Sequence, residues 1–503
     1  MTAAGKFHHR QLLSLFSVGL VSLYSGAVTA APWIEPGDMR MRHSLTVLAD
    51  QGDIRTPINT WPVMWSGVGE TLSGLSRTGG SHSGQERSYV RFEQDRFARR
   101  GWASELNAGI ANQPPLIRSF NDQTREEGVL GVTAQWNGHS WALGLSAQVT
   151  EDPSDGRDWR ADGSFLAYTG NSWTLGFGAI DRWWGPGWQS SLMLSSNARP
   201  VPSLWLNRTN PSGSDHPLLA WMGPFQLTLT LGQLEGAREV PEARLVGLRF
   251  NFRPVKGLEL GLSRLLQYGG EGEPENGEAL GNALILSDES ARESSDAPTQ
   301  MAGLDARYGM AVGGVSGGLY GETVAQVGED QSAGGLTGLV GMDLAYSWQE
   351  DSQRWFLEYA DTTAGNITGS GRFNETYEDP VYKTGDRFRG RAIGSTFDSD
   401  AQALTLGLQH FFNDGRNLAL TVGHIQLNRS DDIVAARPSG KVDFAIAREA
   451  TDVVMVSARY EYPLWGGWAT LDGQWSDRTI EIATADGSGR AQGTLSAGWR
   501  YRF

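Results

Sequence analysis

The chain has no cysteine among its 503 residues and only four lysines beside 38 arginines. The first absence excludes a disulfide framework, a thiol nucleophile and any thiolate metal site. The second leaves the planar guanidinium as the working cation, and its fork suits a crowded interior rich in carboxylates. Long apolar runs are scarce as well. Beyond the first 30 residues, nothing approaches the roughly 20 apolar residues that a membrane-spanning helix needs. No HExxH motif occurs, and past residue 30 the histidines stand isolated at 43, 82, 139, 216, 410 and 424. A formal charge of −15 argues against a nucleic-acid partner. Neither a cofactor nor a bound metal is expected.

Residues 1–30 have the pattern of a secretory signal peptide. Lys6, His8, His9 and Arg10 precede an apolar stretch from Leu12 to Leu23, and Val28 and Ala30 fit a cleavage site before Ala31. Serines at 14, 17, 22 and 25 interrupt the stretch, which favours removal over anchoring. The expected organisation is a signal peptide over 1–30, a helical plug or bundle over 31–101 and a barrel over 102–503.

The plug carries helical spacing. Met41, Leu45 and Leu48 fall on one face and stop at Gly52; Val68, Leu72 and Leu75 repeat the pattern before Gly79. A third helix is expected over Gln85–Arg100, with Glu86 in its first turn and Arg96, Arg99 and Arg100 in its last.

From Trp102 the period becomes two. Trp141, Leu143, Leu145, Ala147 and Val149 alternate with small or polar residues, as do Phe225, Leu227, Leu229 and Leu231, and Leu404, Leu406 and Leu408. Eighteen such segments are expected, starting near residues 102, 126, 139, 161, 172, 200, 224, 242, 257, 297, 315, 335, 352, 400, 416, 451, 465 and 490. Tight turns at Asn137-Gly138, Gly170-Asn171, 254–256, 349–351, 413–415 and Pro463-Leu464 alternate with long links such as 113–125, 269–296, 362–399 and 427–450. An exported chain that crosses a bilayer without apolar helices must close its strands on one another, because lipid satisfies no backbone group. The expected fold is therefore an all-β transmembrane barrel of about 18 antiparallel strands, with short turns and a small N-terminal helical bundle at the periplasmic end and long loops outside. The final segment alternates to a terminal Phe503, which resembles the assembly signal of outer-membrane barrels. The expected location is the Gram-negative outer membrane, as a monomer in contact with its lipid, with both termini periplasmic.

One stretch breaks the strand pattern. Asp181 to Arg208 holds four tryptophans, three arginines and three prolines, and Trp183-Trp184-Gly185-Pro186-Gly187-Trp188 cannot continue a ladder. Strand parity sends it outside or back into the lumen. Two readings stand side by side. Indole faces of Trp183, Trp184 and Trp188 can stack on sugars while Arg182, Asn197 and Arg199 donate to hydroxyls or carboxylates; equally, the indoles can pack inside a barrel and the arginines serve buried carbonyls. Arg387 and Arg389, in the arginine-bearing loop 372–391, join the glycan-binding candidates. The link 269–298 carries eight acidic residues against Arg292 and would repel an acidic polymer. Gly314-Val315-Ser316-Gly317-Gly318 formally matches the nucleophile-elbow pattern but falls where a turn is expected, so no catalytic residue is assigned.

Two motifs resemble the capsule assembly protein family typified by Wzi. The first is Arg42-His43-Ser44-Leu45 through Leu48-Ala49-Asp50-Gln51-Gly52 to Thr60-Trp61-Pro62, with Ser44 where the family often has Asp. The second runs from Asp181-Arg182-Trp183-Trp184-Gly185-Pro186-Gly187-Trp188 into Leu194-Ser195-Ser196-Asn197-Ala198-Arg199-Pro200. The resemblance implies an 18-stranded barrel closed by an N-terminal bundle. It also implies non-catalytic binding of capsular or extracellular polysaccharide, which such a barrel attaches to the cell surface. A porin-like channel is the alternative, and an outer-membrane hydrolase working through loop carboxylates a third reading.

Overall fold

The computed structural model describes residues 33–73, 81–121, 123–277, 280–281, 300–327, 333–369, 371–435, 443–484 and 489–503. The signal-peptide expectation for 1–30 and most of the acidic link 269–298 lie outside the described residues.

Alternation of apolar and polar side chains builds a closed antiparallel barrel. Twenty strands form its ring, of which Trp159–Arg160 and Phe444–Ala447 are short lengths beside longer neighbours, leaving 18 that make the wall. These are Gly101–Ala111, Gly128–Asn137, Trp141–Glu151, Phe165–Gly170, Trp173–Gly178, Ser203–Arg208, Phe225–Gln233, Arg244–Val255, Leu258–Tyr268, Gln300–Val312, Val315–Val327, Ala333–Trp348, Asp351–Asp361, Gln402–Phe411, Asn417–Leu427, Thr451–Leu464, Gly467–Ala483 and Arg490–Arg502. Each begins within four residues of its expected start. The last strand pairs with the first, from Ser496 opposite Ala111 to Arg502 opposite Glu105, so no edge is left unpaired. Leu204, Leu229, Leu262, Leu304, Val340, Leu404 and Leu471 point outward and are exposed, while inward positions are polar.

Turn chemistry corrects two details. Pro463 stays on its strand opposite Trp468, and the chain reverses only at Trp465-Gly466, where both φ angles are positive. Arg253 to Val255 likewise remain in strand, and Gly257 at φ +85° supplies the corner. Between Val312 and Val315 the loop is the pair Gly313-Gly314, with φ of +60° and +86°, a two-residue hairpin turn that only glycine adopts freely. Ser316 therefore lies within the strand that Val315 opens, and the elbow pattern there is turn chemistry.

Helix α1 (Met39–Gln51) starts at Asp38, whose side chain accepts from Met41 N–H at 2.9 Å, and ends at left-handed Gly52. Helix α2 (Trp65–Ser73) and helix α3 (Ser81–Phe97) follow, the latter beginning four residues before the expected start at Gln85. The helices do more than cover one mouth. From Met39 to Asp50 every residue of α1 is buried, because this helix lies within the barrel while α3 keeps one face to solvent. The tight turns sit at the same end: α3's Gln85 side chain donates to the carbonyl of Glu350, and a side chain on Gly52 would strike Lys256.

Candidate functional site

Irregular backbone inside a barrel must find a hydrogen-bond partner for each N–H and C=O. Here the wall supplies them. Glu259 accepts from the N–H groups of Ile58 and Asn59 at 2.9 Å each. Glu322 accepts from Met193 N–H at 2.9 Å, and Glu358 from Trp188 and Ser190 N–H at 2.7 and 3.0 Å. In the other direction Arg253 donates to the carbonyls of Ile54 and Thr56. Both lumen segments, 53–64 and 181–200, are thus pinned by carboxylates and guanidiniums on the strands.

Other arginines of the wall form buried ion pairs, Arg249 with Asp305, Arg307 with both Asp50 and Asp343, and Arg354 with Asp343. Each charge has an opposite partner, and Arg249 also donates to Thr60 Oγ1 and Ser263 Oγ; pairing is the condition under which buried charge is tolerated. His43 belongs to this network. Arg354 Nε–H donates to its Nδ1 at 3.2 Å, so the ring proton sits on Nε2, facing Ser352 Oγ at 2.7 Å. Burial keeps the ring neutral, pushing its pKa down to about 3.

The two sequence motifs meet. Trp183 and Trp184 pair as a short antiparallel ladder with Trp61 and Thr60. Arg42 donates to the carbonyls of Pro186 and Gly187 at 2.9 and 2.7 Å, with its guanidinium 4.2 Å from the Trp188 ring and 4.3 Å from Phe120. Burial lowers its pKa to about 9, still charged at neutral pH. Ser44 donates to Glu86 at 2.6 Å, a bond that an ionised aspartate could not make.

The glycan-binding candidates are therefore placed as follows. Trp183, Trp184 and Trp188 are each at most 3% exposed. Trp188 has Arg42 on its ring at 4.2 Å and Arg354 at 4.7 Å, and it stacks near Phe356. No indole of the three presents a free face. Arg182 is buried with its guanidinium 5.1 Å from the Trp205 ring, and burial lowers its pKa to about 10. Asn197 donates to Ala392 O at 2.9 Å. Arg199 grips Asp162 through two bonds at 2.7 and 2.9 Å and also pairs with Asp155, the carboxylate that Arg389 reaches at 2.8 Å. Arg387 is 1% exposed between Glu378 and Asp398. The structure brings Arg199 and Arg389 together on Asp155, both part-buried, while the other six candidates are buried. Periodicity could not separate this from a sugar site, because the residue types are the same and only their burial differs.

What remains accessible on the loop end is a different group. Phe373 is 46% exposed, and the Arg429 guanidinium lies 5.8 Å from its ring. Arg372 stays half exposed beside Glu375, and Lys383 is exposed nearby in sequence. The base is rigid: Asn374 N–H donates to Asp400 at 2.8 Å, Arg429 N–H to Asp400 O at 2.9 Å, and the Arg429 side chain to Thr363 Oγ1 at 3.0 Å. An exposed ring with cations at its edge can stack on a pyranose and donate to its hydroxyls or carboxylates. Sequence reasoning picked out the loop 372–391 but missed Phe373 and Arg429; an aromatic among exposed charges was the available signal.

Comparison with known proteins agrees with this architecture. The sequence model of the family described as capsule assembly protein Wzi matches residues 96–492. An uncharacterized 55.8 kDa protein in the cps region of Klebsiella pneumoniae is 28% identical over 354 residues, which is 69% of this chain and 68% of that one. The solved structure of Escherichia coli Wzi, described as an outer membrane protein involved in group 1 capsule assembly and as a carbohydrate-binding β-barrel, superposes with a TM-score of 0.78. It covers 95% of this chain and 100% of its own at 21% identity, a likeness of fold.

Proposed function

The chain belongs to the capsule assembly protein Wzi family, and from that premise we propose that it is an outer-membrane barrel that binds capsular or extracellular polysaccharide and attaches it to the cell surface without chemical turnover. It acts as a monomer with both termini in the periplasm, so that the helix end faces inward and the loop end faces the polymer. One observation carries the reading: the Trp183-Trp184 ladder with Trp61 and Thr60 buries these side chains inside the barrel, which leaves the outer loop face as the working surface. There Phe373 stacks on a sugar ring while Arg372, Lys383 and Arg429 hold hydroxyls and carboxylates. Repeating units of the polymer engage many copies of the protein, and the avidity of weak contacts keeps the layer on the cell.

The porin reading requires a continuous polar path, and the same ladder opposes it. The test is polysaccharide retention. Cells lacking the gene release polymer to the medium, and complementation restores it; Phe373→Ala with Arg372→Ala restores the barrel but not retention. Unchanged retention in the deletion strain overturns the proposal.

A further inference from the structure

Connections at the helix end are tight with one exception, residues 209–224. This link starts against α2, where Ser66 Oγ donates to Thr209 O and Pro211 lies beside Gly67, and from Trp221 it packs on the outside of the wall. Phe250 and Phe252 point outward on Arg244–Val255, stacked with ring centroids 5.4 Å apart. Phe252 is nonetheless only 7% exposed, whereas Leu229 and Leu262 on the flanking strands are 39% and 45% exposed. Trp221 explains the difference: it meets Phe252 edge to face at 5.7 Å and 88°. The link then presents its own apolar side chains outward, with Leu218 76% and Trp221 61% exposed.

Its shape is built. His216 O accepts from Leu219 and Ala220 N–H at 2.8 and 2.9 Å, Ala220–Met222 form one 3₁₀ turn, and Gly223 at φ +64° returns the chain. Arg208, also on the outer face, donates to the carbonyls of Ser212 and Phe225 and lies 3.8 Å from the Phe225 ring. A water-facing loop has no use for Leu218, Leu219 and Trp221 side by side on an exposed surface. They are, however, continuous with the apolar outer band of the wall, and an indole beside an arginine at the end of a strand is the chemistry of the lipid interface.

We infer that residues 215–222 form an interfacial foot, whose Leu218 and Trp221 insert among the headgroups and upper acyl chains of the phospholipid leaflet at the helix end. The foot would fix the height of the barrel in the bilayer and cover the outward Phe252. The inference rests on the membrane location proposed above, and the experiment separates the two.

The absence of cysteine permits single-site labelling of the full chain. Leu218→Cys, the wall control Leu262→Cys and the water control Asp95→Cys on α3 are each labelled with an environment-sensitive fluorophore. The proteins are reconstituted in nanodiscs of phosphatidylethanolamine and phosphatidylglycerol carrying a nitroxide high on the acyl chain. The expected result is that labels at 218 and 262 are both quenched by the nitroxide lipid, and that iodide quenches the label at 218 several-fold less than the label at 95. If 262 is quenched by lipid while 218 behaves like 95, the foot is overturned and that face is free for a periplasmic partner. If neither is quenched by lipid, the membrane location fails and the foot with it.

Discussion

Trp61 and Trp183 stand opposite one another as strand partners inside the barrel, although five wall strands, from Gly101–Ala111 to Trp173–Gly178, lie between them in the chain. Each comes from a segment that could not have joined the wall, one led by α1 and the other by a glycine- and proline-rich turn. Arg42, donating to Pro186 and Gly187, locks the pair from above the ladder. The plug and the folded-in loop are consequently one hydrogen-bonded unit inside the barrel.

Conductance follows from that unit. In a planar bilayer the intact protein should show no steady open current. Arg42→Ala removes both bonds to the loop backbone and leaves the wall untouched, so intermittent openings should appear in single-channel recordings. A steady open current from the intact protein would revive the porin reading.

Glu358 holds the tryptophan loop from the wall through Trp188 N–H and Ser190 N–H, and it also accepts from the hydroxyl of Tyr320, on another wall strand, at 3.1 Å. Glu358→Gln keeps the shape but replaces one accepting oxygen with an amide that must donate. Stability should fall by about 1–3 kcal/mol, the cost of leaving a buried donor unmatched. Thermal unfolding in detergent would register this, and limited proteolysis should find new cleavage near 185–190.

Trp184 is fully buried, and its backbone N–H donates to Leu194 O at 2.8 Å. Trp184→Ala opens a cavity in the lumen core and should cost about 3–5 kcal/mol. Trp184→Phe, which keeps most of the volume, should lose much less. If both variants fold with unchanged midpoints yet shed polysaccharide, the indole contacts polymer directly and the scaffold account of this motif is wrong.

Asp386 lies in the loop between Asp361 and Gln402, buried beside Gln267, which donates to it at 2.8 Å. Burial, with some repulsion from Asp379, raises its pKa to about 7. The folded state therefore holds this proton over a range where the unfolded chain has released it. Stability is greatest below about pH 4 for this group and declines as pH rises toward 7, by on the order of 4 kcal/mol at most. Asp386→Asn should flatten that part of the profile and raise the midpoint at pH 8. Unfolding midpoints of both proteins across pH 4 to 8 check it.

The wall was legible because a period of two and alternating loop lengths are local signals. Leu404, Leu406 and Leu408 state which way they face without reference to anything distant. The glycine pair at 313 and 314 likewise announces its own turn. The lumen was not legible in the same way. Whether Trp188 stacks on a sugar or lies against Arg42 and Arg354 depends on where residues 42 and 354 end up, and spacing carries no such information. The arginine excess did point to a carboxylate-filled interior, which Arg249 with Asp305 and Arg307 with Asp50 and Asp343 realise. Helix α1 reads from sequence as an amphipathic cap, yet Arg40, Arg42, His43 and Asp50 are all buried: α3 gives Arg40 its partner Glu86, the tryptophan loop gives Arg42 the carbonyls of Pro186 and Gly187, and the wall gives His43 Arg354 and Asp50 Arg307.

The most direct measurement is equilibrium binding of the purified, folded protein to polysaccharide from its own host, by calorimetry or biolayer interferometry, beside Phe373→Ala with Arg429→Ala and the internal variant Arg199→Lys. The account predicts saturable binding by the intact protein and a loss of roughly tenfold, about 1.4 kcal/mol, in the surface variant. Arg199→Lys should bind as the intact protein does once folding is verified. No binding by the intact protein, or loss confined to Arg199→Lys, would contradict it.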